Sequence, residues 1–315
     1  MTQQAVRRYR LDELPQLGPA VVTMGVFDGL HVGHAAVMAA TRAAAEAFGA
    51  ESVALVFDPH PDEVLKPGTR VERLTPVGET LARIEAVGID HPLAIQFDDE
   101  LRKLSAEEFL AALEPSLQLR ALVMSEESAF GRARGGTVEH MRQVGEERGF
   151  KVVTVPEVDD ERQIVSSNRI RMTIAAGDLE AAARMGVRPY LEGTVVEGDH
   201  RGLQLGYPTA NLAFEYTPAL PSLGIYAGVA ADPERAVGPN HPALVSIGIR
   251  PTFHPDGHVL GEVHLLDWNG DLYGTRLAVE LTVRLRDERR FDSVPELVKQ
   301  MQHDEREARV ALGIG

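Results

Sequence analysis

With 315 residues, 44% hydrophobic and 25% charged, the chain is too long for one ordinary core, which predicts two domains. Its formal net charge of −15, from 47 acidic against 32 basic residues, argues against nucleic-acid or anionic-membrane partners, both of which need a basic face. The lack of cysteine excludes a disulfide framework, a thiolate nucleophile and a cysteine-built zinc site. Met1 to Arg10 lacks the apolar stretch of a signal peptide, and no apolar run nears the roughly 18 residues that span a bilayer, so a cytoplasmic protein is expected.

In chain order, an apolar run from Val21 to Phe27 ends in Asp28-Gly29. An alanine-rich stretch from His34 to Phe48, stopped by Gly49, then reads as helix. Strand-like runs at Ser52–Phe57, Leu93–Phe97, Ala121–Met124 and Val152–Val155 alternate with helical segments near Pro76–Val87, Ala106–Leu113 and Thr137–Glu147. This alternation predicts a parallel α/β sheet with helices on both faces and ligands at the carboxyl ends of its strands. Ser166-Ser167-Asn168 marks a helix start before Arg169–Ala176, and a second helix follows at Leu179–Met185, so the first domain is expected to span residues 1–186. Beyond Pro189 the texture changes to short β-type runs punctuated by Gly and Pro, which predicts an antiparallel barrel or sandwich over residues 187–315, closed by a helix at Val294–Leu312.

His31 and His34 lie three apart where a strand turns into a helix. Both imidazoles would then share one side of the first helical turn, beside free backbone N–H groups and the positive end of the helix dipole, a place suited to phosphate. Gly25, Gly29 and Gly33 around them allow close backbone approach. From these residues alone, two histidines that merely cap or solvate a helix, or a metal pair lacking an evident third ligand, stay open.

The wider string Gly25-Val26-Phe27-Asp28-Gly29-Leu30-His31-Val32-Gly33-His34 resembles the HxGH nucleotidyltransferase signature of prokaryotic bifunctional riboflavin kinase/FMN adenylyltransferases. Phe57-Asp58-Pro59-His60-Pro61 and Val165-Ser166-Ser167-Asn168-Arg169-Ile170-Arg171 are similar to two further family elements, in the same order. The resemblance implies a Rossmann-like nucleotidyltransferase domain in which FMN attacks the α-phosphate of ATP. It places ATP at Gly25, Phe27, Asp28, His31, His34, Ser167, Arg169 and Arg171, with His31 and His34 catalytic and the last three on the departing pyrophosphate. It also places His60 and Glu127 in the flavin and nucleotide pocket. Ser125-Glu126-Glu127-Ser128-Ala129-Phe130-Gly131 departs from the family's pattern: Glu127 stands for the usual Asp or Asn and Ser128 for an aromatic, while Asn168 replaces a Thr. A kinase with a weakened, altered or lost adenylyltransferase is the alternative these departures leave open.

In the second half, Gly193 to Gly202 leads into Leu205-Gly206-Tyr207-Pro208-Thr209-Ala210-Asn211, a glycine-rich approach ending in a hydroxyl and a carboxamide. Such a turn can admit phosphates and offer the Thr209 oxygen to magnesium, though an ordinary barrel loop reads the same. No lysine follows a glycine, which excludes a Walker A loop. The string resembles the riboflavin kinase PTAN motif, supported by Ile247–Phe253, Glu262–Asp267, Leu272-Tyr273-Gly274 and Leu285–Glu288 before Phe291. The resemblance implies a small antiparallel β-barrel with a C-terminal helix and makes Glu262 the base for the riboflavin 5′-hydroxyl. It assigns ATP to Gly202, Thr209 and Asn211, magnesium to Thr209, and the flavin to Arg286. The substrates implied are riboflavin, FMN and ATP with Mg2+, and no nucleic acid or membrane. Another HxGH transferase would leave the PTAN half unused, and a flavin-responsive regulator would need a DNA-binding module. Oligomeric state is open.

Overall fold

The computed structural model describes residues 6–198, 206–232, 237–249 and 259–314. The chain divides into two compact units, one running to Val71 and including Thr75–Ser167, the other formed by Glu72–Leu74 with the chain from Asn168 onward.

The first unit contains β1 (Arg8–Tyr9), β2 (Gly18–Gly25), α1 (Val32–Phe48), β3 (Glu51–Asp58), α2 (Pro61–Leu65), α3 (Val77–Ala86), β4 (His91–Gln96), α4 (Ala106–Leu113) and β5 (Leu117–Ser125). The short strands β6 (Ala129–Phe130) and β7 (Gly136–Thr137), then α5 (Val138–Arg148) and β8 (Lys151–Val155), complete its core. Six strands pair in parallel in the order β1-β4-β3-β2-β5-β8. Side chains alternate between the two sheet faces. Val22, Leu55 and Leu122 therefore pack with Phe109, Leu110 and Met141 of α4 and α5. Their neighbours Val21, Ala54 and Val123 pack with Val37, Met38 and Ile84 of α1 and α3. Both faces are covered, which explains why these strands read as continuous apolar runs rather than alternating ones. From β2 the chain winds first through β3 and β4 to one side, then through β5 and β8 to the other. The carboxyl ends of β2 and β5 thus flank the switch point, where doubly wound sheets bind ligands.

The second unit begins with α6 (Ser167–Ala175, from its second residue) and α7 (Leu179–Arg184). It continues as β11 (Tyr190–Val196), after a two-stranded ribbon of β9 (Asp159–Asp160) and β10 (Gln163–Ile164) that belongs to the first unit. β12 (Ala210–Ala213), β13 (Gly224–Ala231), β14 (His241–Ile249), β15 (Val259–Leu265) and β16 (Arg276–Arg286) follow. These close into an antiparallel barrel in the order β11-β12-β15-β14-β13-β16, which decides between the barrel and the sandwich. Leu191, Leu212, Tyr226, Val245, Val263 and Leu281 fill it. The last helix, α8 (Val294–Leu312), lays Ala308 and Leu312 on Ala227, Leu244 and Leu266 outside the barrel.

Candidate active sites

The turn after β2 is tight. Phe27 (φ 52), Gly29 (φ 78) and Leu30 (φ 45) all take left-handed backbone, and the Leu30 N–H bonds the Phe27 carbonyl at 3.0 Å. Buttressing comes from behind: the buried Asp28 carboxylate accepts from the Thr75 N–H at 3.1 Å, and Thr75 Oγ1 accepts from the Gly29 N–H at 3.2 Å. His31 is the N-cap of α1, its Nδ1 accepting from the His34 N–H at 3.3 Å. The two imidazoles stack with centroids 3.6 Å apart, and the Phe27 ring meets His34 edge-on at 5.3 Å. A Cβ on Gly33 would sit 3.1 Å from the His31 ring and one on Gly25 3.1 Å from Phe27, so these glycines make room for the site's own rings.

Burial lowers the His31 pKa to about 4 against an opposing pull from Asp28, and holds His34 well below the usual histidine range, with His31 adding to the effect. Both are therefore neutral at pH 7. Because His31 Nδ1 accepts a hydrogen bond, the neutral ring carries its proton on Nε2. The His34 Nδ1 is buried without a hydrogen-bond partner.

A cavity of about 800 Å3 opens beside the histidines, of a size that takes a nucleotide or flavin. Gly25, Phe27, His31, His34, Glu127 and Ser167 line it; Asp28, His60, Arg169 and Arg171 do not. His60 caps α2 instead, its Nδ1 accepting from the Asp62 N–H at 3.1 Å. Ser167 donates to the Asp28 carbonyl at 3.2 Å, within the first unit. Arg171, in the other unit, donates to the Glu72 carbonyl at 2.5 Å.

Sequence reasoning missed the opposite wall. Phe97, Phe57, Phe109 and Phe130 line the cavity as an edge-to-face ladder with centroids 5.6, 6.2 and 5.6 Å apart. Phe57 and Phe130 fall inside the quoted strings Phe57–Pro61 and Ser125–Gly131, but Phe97 just after β4 and Phe109 of α4 do not, and only the fold brings the four rings together. Ser128, where the family has an aromatic, turns its hydroxyl onto the Ser125 carbonyl at 2.8 Å.

In the barrel, strand register assembles the second site. Asn211 of β12 pairs with Glu262 of β15, Glu262 with Ser246 of β14, Ser246 with Ile225 of β13, and Ile225 with Arg286 of β16. Directly opposed residues share a face. Their neighbours Ala210, Leu212, Val263 and Val245 point into the barrel core, so this row lies on its outer surface. Arg286 stands three strands from Glu262, about 14 Å along the sheet. Its guanidinium forks onto Asp304 of α8 at 2.8 and 2.6 Å, and a third bond reaches the Asp287 carbonyl at 2.9 Å. Asp304, 2% exposed, also accepts from Gln300. Next to the row, His264 Nδ1 meets the Pro208 carbonyl at 2.7 Å and its ring lies 5.2 Å from Tyr207, which fixes the turn carrying Thr209. Gly202 lies outside the described residues.

ATP chemistry implies a divalent cation. The Asn211 Oδ1 is buried with no hydrogen-bond partner among the described residues, its strand position pairs with that of Glu262, and Thr209 is half-buried two residues earlier. Among the described residues no cluster of three or more His, Cys, Asp or Glu could hold a metal. Magnesium in phosphoryl-transfer sites takes one or two protein oxygens, with phosphate and water as the rest, and this set of oxygens fits it.

A family model for FAD synthetase matches residues 14–169, and one for riboflavin kinase matches residues 185–312. The bifunctional riboflavin kinase/FMN adenylyltransferase of Pseudomonas fluorescens is 36% identical over 285 residues, covering 90% of each chain. The chain belongs to this family. The Escherichia coli K12 member is 31% identical over 97% of this chain and 96% of its own. A crystal structure described as a macrolide-efflux protein from Streptococcus pneumoniae superposes with a TM-score of 0.84 at 29% identity, covering 95% of this chain and 97% of that one. No helix among the described residues is long and apolar enough to cross a membrane. Like its family, the chain joins a parallel-sheet nucleotidyltransferase domain to a six-stranded kinase barrel.

Proposed function

We infer that this chain phosphorylates riboflavin with ATP in its C-terminal barrel and adenylylates FMN with ATP in its N-terminal domain, releasing pyrophosphate. The observation that carries the reading is that each half has its own site: stacked neutral histidines facing a cavity at the sheet's switch point, and Glu262 opposite a partnerless Asn211 oxygen. We take residues 1–186 as the adenylyltransferase domain and 187–315 as the kinase. Dependence on ATP argues for the cytoplasm.

In the kinase step Glu262 accepts the proton of the riboflavin 5′-hydroxyl as its oxygen attacks the γ-phosphate, giving FMN and ADP. Thr209 and Asn211, with Gly202 on the approach, hold ATP and its magnesium. Bound there, the metal neutralises phosphate charge. Arg286, whose guanidinium is held by Asp304 of α8, contacts the flavin in this reading.

In the adenylyl step an oxygen of the FMN phosphate attacks the α-phosphate of ATP, and the bond to the departing pyrophosphate breaks. His31 and His34 donate hydrogen bonds to the α-phosphate as its charge grows, His31 through Nε2. The turn set by Asp28 and Thr75 presents them, with Gly25 and Phe27 shaping the nucleotide side and Glu127 the flavin side. Ser167, Arg169 and Arg171 hold the pyrophosphate in this reading, and His60 orders the turn before α2.

The test separates the halves. Glu262→Gln stops conversion of riboflavin to FMN and leaves FMN-to-FAD conversion intact, while His31→Ala with His34→Ala does the reverse. Chromatography of riboflavin, FMN and FAD reads both, and unchanged kinase turnover in Glu262→Gln would remove the assigned base.

A further inference from the structure

The cavity that the histidines line also carries two exposed cations that no carboxylate among the described residues pairs. Arg132 and Arg134 line the cavity from the turn between β6 and β7. Arg132 reaches the Lys103 carbonyl at 3.2 Å and Arg134 the Glu127 carbonyl at 3.1 Å. Neither guanidinium has a carboxylate within 4.0 Å among the described residues, although Asp62, Glu127 and Glu157 line the same cavity. Arg102, also on the wall, is by contrast paired with Asp99 at 2.6 Å. In a chain of net charge −15, leaving two guanidiniums of one turn on a cavity wall without a carboxylate partner among the described residues points to an anion that arrives from outside.

The turn is built to hold them. Gly131 (φ 75), Ala133 (φ 56) and Arg134 (φ 57) take left-handed backbone, which is strained for a non-glycine residue. A Cβ on Gly131 would lie 2.6 Å from the Ala106 nitrogen and one on Gly136 2.7 Å from the Ala106 Cβ, so the turn is seated against the first turn of α4. The Arg132 N–H adds a bond to the Leu104 carbonyl at 2.7 Å. Next to these cations Phe130 begins the aromatic ladder. An apolar wall for a planar ring thus adjoins a cationic one.

On the reading of the N-terminal half as an FMN adenylyltransferase, we propose that Arg132 and Arg134 bind the phosphate monoester of FMN, so that this site takes FMN and rejects riboflavin. Two guanidinium forks match a phosphate dianion. ATP belongs to the other side of the switch point, at the N-terminus of α1, where His31 and His34 sit. Holding the FMN phosphate between the two walls aligns its oxygen on the α-phosphate.

The test uses the full chain with FMN, ATP and magnesium, following FAD by chromatography. Arg132→Gln with Arg134→Gln raises KM for FMN about tenfold or more, equivalent to about 1.4 kcal/mol, while KM for ATP stays within twofold. Inhibition by lumiflavin, which has the ring but neither ribityl chain nor phosphate, is unchanged, and Arg132→Lys with Arg134→Lys recovers part of the loss. Riboflavin phosphorylation in the same chain stays at its wild-type rate, and the unchanged KM for ATP in FAD formation reports an intact N-terminal fold. An unchanged KM for FMN overturns the proposal. So does a rise in KM for ATP, which would place the cations on the nucleotide, or a parallel loss of lumiflavin inhibition, which would place them on the ring. A wild-type chain that makes no FAD would instead remove the adenylyltransferase reading itself.

Discussion

His31 couples the fold of the N-terminal unit to pH in a way that can be measured. Its pKa falls from 6.5 to about 4 on folding, chiefly by burial. Between those values the unfolded chain binds a proton that the folded one refuses, so the contribution is present above pH 6.5 and is lost as pH falls toward 4. One pKa unit is 1.36 kcal/mol, and lowering the pH from 7 to 4.5 therefore removes about 2 kcal/mol through this residue. His31→Asn isolates the effect, because asparagine keeps an N-cap acceptor for the His34 N–H and does not titrate. Amide hydrogen exchange at the fully buried Val22, Leu55 and Leu122 reports the stability of this sheet. The wild type is expected to lose about 2 kcal/mol more protection between pH 7 and 4.5 than His31→Asn. Parallel losses in the two proteins would refute burial as the source of the shift.

Three further outcomes follow from the geometry. A Cβ on Gly198 would collide with the Asn211 Nδ2; Gly198→Ala displaces that amide and should lower riboflavin phosphorylation at least tenfold, with FAD formation from FMN unaffected. Asp304→Ala strands the Arg286 guanidinium and should destabilise the barrel by about 3 kcal/mol. Urea unfolding followed by fluorescence of Trp268, the only tryptophan and one packed on the barrel core, reads that loss. Ser128→Phe with Glu127→Asp restores a ring and the shorter carboxylate on the cavity wall, and FAD output at low FMN should rise in a chromatographic assay.

Elements with strong local periodicity were legible in the sequence. α1 and α8 and the central strands lie where apolar spacing puts them, because burial on one face or both leaves that pattern in the chain. The expected strand Val21–Phe27 instead ends at Gly25, since Phe27 is buried in the turn and Val26 lines the cavity rather than extending the sheet. Strand β1 and helix α2 are too short to leave a period. The histidine pair was legible because both residues sit on one turn. The aromatic ladder and the Arg286–Asp304 clamp were not, because each joins residues from separate elements that only the fold brings together. The row from Asn211 to Arg286 is likewise a product of register across five strands. Arg132 and Arg134 follow directly on a quoted string, but a charge without a partner shows only once every neighbour is placed.

The central claim is that one chain runs two successive ATP reactions on a flavin. Incubating the purified protein with riboflavin, ATP and magnesium and separating the flavins over time tests it most directly. The account predicts that FMN accumulates first and FAD follows at its expense, with pyrophosphate released as FAD forms. FMN without FAD would contradict the adenylyltransferase half, and riboflavin left unchanged would contradict the kinase.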